Sequence, residues 1–184
     1  MSLYDVSRYL HVVGAMGLFL SLGLEWTGLA RLRETATAEQ ARAWFLLLAV
    51  GRRIGPATLA AILLPGLYLA WEVWGFVGWI NVALGAVVLM AALAAYNGIR
   101  LSNIEKEVGD ATGPLPAPFL ARLSNPLFLV SLRSRVGIVL GIVYLMTGKP
   151  DLVGSLLTIG IAFAAGLVWA LPAWMRRGPQ ERFA

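Results

Sequence analysis

The chain has 184 residues, 59% of them hydrophobic and only 14% charged, with no cysteine and a mean hydropathy of +0.74. Soluble domains run at about 45–50% apolar and about 25% charged, so the composition points to the membrane class; the lack of cysteine excludes disulfides, thiolate metal sites and a cysteine nucleophile. The net charge of +5 does not mark a nucleic-acid binder, because the basic residues sit at the ends of apolar segments, the pattern that orients a membrane protein.

A membrane span needs about 20 largely apolar residues to cross about 30 Å of hydrocarbon. The first such run is residues 9–30. Its leader, MSLYDVS, lacks a positive cluster, the run is long, and no small-x-small site ends it, so a retained helix is expected rather than a cleaved signal. Thr37-Ala38-Glu39-Gln40 forms a capping-box pattern, so a helix is expected from Ala38. That helix runs into the second span, residues 54–74, with a kink expected at Gly55-Pro56, where proline removes a backbone donor. From Ala38 to Trp74 it would measure about 55 Å, longer than a bilayer core. The third span is residues 76–99, after the tight turn WEVWGFVGW. The proline-rich GPLPAPF is expected to lie as irregular chain at the surface. The fourth span is residues 136–147, extended backward through NPLFLVSLRSR, where Arg133 and Arg135 interrupt the apolar run; the fifth is residues 152–174.

Positive charge orders these spans. Thirteen Lys and Arg fall in the loops after spans one, three and five, and only Arg8 and Lys149 fall on the other side. The bias predicts five transmembrane helices in an all-α, polytopic membrane bundle, N-terminus out and C-terminus in. Trp71, Trp74 and Trp79 flank the outer turn, while Trp44, Trp169 and Trp174 suit inner or interfacial positions. Residues 45–69 can be laid on residues 127–150, so that Arg53-Ile54-Gly55 meets Arg135-Val136-Gly137. Either this is a parallel repeat of two hairpins, spans two-three and four-five, with span one added, or it is chance similarity of apolar sequence. Gly14, Gly17, Ser21 and Gly28, with Gly137-x-x-x-Gly141 and Ala162-x-x-x-Gly166, allow close helix approach, within the chain or in a homodimer.

Two ionisable groups lie in span one. His11, the only histidine, is either a metal or haem ligand or proton carrier, or an interfacial side chain bonded to a neighbouring helix. One histidine cannot supply bis-histidine haem ligation, and Met146, at the outer end of span four, is its best-placed partner for a copper or haem site. Glu25 lies fourteen residues on, about 40° around the helix and about 21 Å along it. A carboxylate at that depth needs a partner, and Arg52, Arg53 and Arg135 approach from spans two and four. Such a cluster serves either as a structural staple or as an anion, lipid-headgroup or proton site. Arg8, Glu72, Asn81 and Tyr144 could line an outer polar vestibule with Tyr68, Asp151 and His11, while Tyr96 and Asn97 lie near the inner face. No phosphate loop, serine triad or paired-carboxylate motif is present, which leans away from an enzyme.

The first span, LHVVGAMGLFLSLGLE, resembles that of a family of small bacterial integral membrane proteins. With Leu10-His11, the small residues that follow, and the Arg53…Gly66 and Arg135…Gly148 pattern, the chain is also distantly similar to the copper-resistance protein D domain. That resemblance implies a multi-pass protein of the bacterial inner membrane and copper handling. Two function classes follow: a small transporter or metal-handling protein with a polar site inside the bundle, or a non-catalytic membrane subunit whose arginines grip anionic lipid or a partner protein. A membrane-bound redox enzyme comes third.

Overall fold

The structure, a computed structural model, describes residues 1–175. The chain order is α1 (Leu3–Leu32), α2 (Ala38–Leu69) continued by a π-helical turn (Ala70–Trp74), α3 (Gly78–Val108), a short α4 (Ala117–Leu123), α5 (Pro126–Gly148) and α6 (Leu152–Met175). Five of these elements, with α4 and α5 counted as one stretch, are long and apolar enough to cross a membrane. Arg176, Arg177 and Arg182 lie outside the described residues.

The helix ends follow from local chemistry. α1 starts earlier than its apolar run because Ser2 and Asp5 form a reciprocal capping box. Thr37 caps α2 by accepting from the Gln40 N–H, but the Gln40 side chain accepts from Ala36 rather than closing the box. α2 carries Pro56 and Pro65 internally without ending at either. Counted with its π-turn it has 37 residues, about 55 Å, against about 30 Å for a hydrocarbon core, so it must project, tilt or bend. Asn81 Nδ2 donates to the Phe76 carbonyl and closes the turn after Gly75, whose φ of 66° is left-handed. Asn125 caps α5, with Pro126 in its first turn. Arg133 and Arg135 do not interrupt α5, since a charged side chain leaves the backbone hydrogen bonds intact. The proline-rich stretch is anchored rather than loose: Leu115 N–H donates to Ala36 and Ala38 N–H to Gly113, a bridge between two loops.

Two helix pairs make most of the packing: α1 on α2 and α5 on α6, with α3 lying against α5 and α6 and touching α2 only briefly. Small residues set both seams. Ser7, Gly14, Ser21 and Gly28 recur every seventh position of α1 and are buried. A Cβ on Gly14 would fall 2.9 Å from the Ala61 carbonyl carbon, and one on Gly28 would fall 2.6 Å from the Leu48 side chain. Ser21 Oγ donates to the Gly51 carbonyl at 3.2 Å. In the other seam Gly137 sits directly on the Ala162 carbonyl, and Gly166 meets Arg133 O, 2.7 Å from where its Cβ would be. Without a hydrophobic driving force between helices in lipid, such close backbone contact supplies the adhesion.

Large buried side chains gather at one end. Leu29, Leu32, Phe45, Leu101, Ile104, Val108, Leu123 and Phe128 share a core where α2 begins, α3 ends and α4 folds across. The physical reason is solvent. Helix turns that leave the bilayer enter water, where burying leucine and phenylalanine is favourable again. This cap forms the arginine-rich end of the molecule.

Candidate functional site

Glu25, Arg135 and Asn97 meet at the junction of α1, α3 and α5. Arg135 Nη1 donates to Glu25 Oε2 at 2.8 Å, and Nη2 donates to Glu25 Oε1. Asn97 Nδ2 donates to Glu25 Oε1 at 3.1 Å and to the Phe128 carbonyl at 3.2 Å. The directions follow from helix geometry. A helical side chain leans toward its own N-terminus, so on antiparallel segments Glu25 and Arg135 lean toward each other. Arg135 Nε is held by the Ser131 carbonyl, and Ser131 Oγ donates to the Leu93 carbonyl. The Arg135 side chain is 4% exposed and that of Glu25 18%, so the pair is largely removed from solvent. Asn97 Oδ1 has no hydrogen-bond partner among the described residues. The arrangement clamps three helices through one neutralised, bidentate pair.

A second assembly lies beside it, toward the arginine-rich end. Trp26 and Trp169 stack at 5.1 Å with their planes 21° apart. The Arg133 guanidinium lies over both rings, 5.2 Å from Trp26 and 5.1 Å from Trp169, and Nη1 donates to the Trp169 carbonyl at 2.6 Å. Arg33, the C-cap of α1, donates from Nη2 to the Ser124 carbonyl at 3.2 Å. Burial, then the neighbouring Arg133 charge, hold the Arg33 guanidinium below its ordinary pKa. From the sequence, Arg133 stood only as an interruption of the fourth apolar run and Arg33 only as one of the thirteen inner-loop charges. The signal that could have found them is a tryptophan next to Glu25 and an arginine two residues before Arg135.

The other expected members go elsewhere. Arg52 pairs with Glu105 on α3 at 2.5 Å, not with Glu25, and its Nη1 is buried without a partner among the described residues. Arg53 is exposed and holds no ion pair among the described residues. The reason is placement: α2 packs chiefly on α1, so Arg52 reaches the nearest acid on α3 and Arg53 points away from the bundle. His11 and Glu25 share a face of α1 but meet different neighbours. His11 Nδ1 donates to the Ile62 carbonyl of α2 at 2.8 Å, in space left by Gly66, whose Cβ would lie 2.9 Å from that nitrogen. Met146 is on α5 and exposed; α5 meets α1 at Glu25 and Trp26. With Nδ1 held by the Ile62 carbonyl, His11 keeps only Nε2 for a ligand. Among the described residues no group of three or more His, Asp or Glu side chains could hold a metal ion.

The expected members of an outer vestibule have these surroundings. Arg8 lies over the Tyr4 ring at 5.7 Å, Asn81 is used in the turn, and Glu72 and Tyr144 are exposed. At this end Lys149 lies over the Trp74 ring at 4.0 Å, and Gly78 of α3 closes on Leu152 of α6. Comparison of the chain with protein-family models, with curated proteins and with solved structures finds no match.

Proposed function

We propose that the chain is a non-catalytic multi-pass subunit of the bacterial inner membrane, N-terminus out, whose arginine-rich cytoplasmic end grips anionic lipid. The observation that carries this reading is the use made of the polar side chains. Glu25, the carboxylate available for transport or proton chemistry, is closed off by Arg135 and Asn97. His11 is bonded to a backbone carbonyl. At the arginine-rich end the outward charge is mostly cationic, with Arg53, Arg100 and Lys106 exposed beside Asp110 and Arg42 part-buried. A juxtamembrane basic surface is attracted to the anionic cytoplasmic leaflet at about 1 kcal/mol per Lys or Arg.

The match of Arg53-Ile54-Gly55 with Arg135-Val136-Gly137 supports a parallel hairpin repeat with α1 added. In that reading the two arginines have diverged, one toward the surface and the other into the clamp. The functional reading is tested on delipidated protein in mild detergent. Phosphatidylglycerol is expected to raise its apparent Tm and phosphatidylcholine to leave it unchanged. Equal effects of the two lipids would sink the proposal, as would solute or copper flux in proteoliposomes.

A further inference from the structure

One face of α3 is open along much of its length. At about 100° per residue, Val88, Ala92, Tyr96 and Ile99 share this face, and Arg100, Asn103 and Lys106 continue it toward the helix C-terminus, all within an arc of about 120°. Each of them is exposed, with Val88 and Ile99 open at 69% and 64%. Other faces of α3 are the ones that pack, where Asn97 reaches Glu25 and Glu105 holds Arg52. From Val88 to Ile99 the apolar part measures about 16 Å, close to half of a hydrocarbon core about 30 Å thick. The open face is therefore one leaflet long and ends in two cations.

Among the described residues the Arg100 side chain makes a single contact, its guanidinium over the Tyr96 ring at 4.6 Å, and donates no hydrogen bond. Glu107, on the same arc, is taken by Arg122 through two bonds, and Asp110 lies past Gly109, whose φ of 43° ends the helix. A long cationic side chain at the end of a span ordinarily reaches outward to water. Arg100 is instead folded back one turn, toward the apolar part of α3, in the direction helical side chains lean. Its five N–H groups are held at the level of an interfacial tyrosine, the depth at which aromatic rings meet lipid headgroups. We infer that Tyr96 and Arg100, with Asn103 and Lys106 farther along the face, form a seat for the phosphate of an anionic phospholipid. Val88, Ala92 and Ile99 are the track of its acyl chain. Arg100 supplies paired, charge-assisted N–H donors, Tyr96 holds the guanidinium in place, and Lys106 adds charge. The occupant is a lipid because the cationic end and the apolar track are one continuous open face of one span. The inference rests on the reading of this end as lipid-gripping and adds to it one particular site.

The test uses the full chain, delipidated in detergent and titrated with phosphatidylglycerol in mixed micelles. Bound lipid is counted by native mass spectrometry, and apparent Tm is read in parallel. Arg100→Gln removes the donor fork, Arg100→Lys keeps the charge without the fork, and Arg53→Gln, an exposed position on α2, is the control. The expected result is about a tenfold loss of phosphatidylglycerol affinity in Arg100→Gln, the size of one charge-assisted bond. A smaller loss is expected in Arg100→Lys and none in Arg53→Gln, with Tm in phosphatidylcholine micelles unchanged in all three. Unaltered affinity in Arg100→Gln, full affinity in Arg100→Lys, or equal losses in Arg100→Gln and Arg53→Gln would overturn the seat while leaving the broader lipid-gripping reading intact. A Tm loss in Arg100→Gln of the same size in both lipids would mark the residue as structural and overturn the seat as well. No preference of the wild type for phosphatidylglycerol over phosphatidylcholine would overturn the lipid-gripping reading itself. Inorganic phosphate displacing the lipid at equal concentration would show a plain anion site and contradict the lipid assignment.

Discussion

At the scale of single residues, the Glu25–Arg135 pair dominates, because breaking a buried pair leaves an uncompensated charge while removing both halves does not. Glu25→Gln or Arg135→Gln is expected to cost about 3–5 kcal/mol of stability. A double change to apolar side chains of similar volume, Glu25→Leu with Arg135→Met, is expected to recover most of that loss. Thermal unfolding in one detergent checks the comparison. Equal destabilisation by single and double variants would mean that the pair itself supplies net stability. The need of Glu25 for a partner was legible from its depth, and Arg135 was among the partners named. The choice between Arg135 and Arg52 was not legible, because it depends on which helix lies next to α1. Asn97 read as an ordinary polar residue near a boundary; only the α3–α5 contact puts its amide on the carboxylate.

Helix seams are where small residues show their effect most sharply. Gly28 and Gly23 lie on the same helix five residues apart, yet a Cβ on Gly28 meets Leu48 and one on Gly23 meets nothing within 4 Å. Gly28→Val is therefore expected to destabilise the α1–α2 pair by about 1–3 kcal/mol through overpacking, and Gly23→Val to leave Tm within about a degree, since surface changes stay within about 0.5 kcal/mol. Comparable losses in both would remove the seam from the explanation. In the second pair, Gly166→Val is expected to push α6 off α5 and carry Trp169 away from Trp26, a change that tryptophan fluorescence reports. Element existence was readable from apolar length. Element starts were less so: Ser2-x-x-Asp5 is a capping signal that the apolar run alone concealed, and the continuity of α5 through Arg133 and Arg135 follows from backbone bonding rather than hydropathy.

Across the whole molecule, the packing changes character from one end to the other. Glycine and alanine hold the helices together within the spans, and leucine and phenylalanine hold the cap. The five spans were visible in composition, and the cap was visible only as an α2 too long for a bilayer. What the sequence could not display was the pairing of helices, and with it the partner of His11. The most direct measurement uses the natural absence of cysteine. Single substitutions Glu72→Cys and Asp110→Cys, at exposed positions on opposite ends of the bundle, are labelled in intact bacterial cells with a membrane-impermeant maleimide. Five crossings with the arginine-rich end inside predict labelling at position 72 in intact cells and at position 110 only after lysis. Labelling at position 110 in intact cells, or protection at position 72 until lysis, would contradict the orientation and with it the cytoplasmic assignment of the lipid-gripping end.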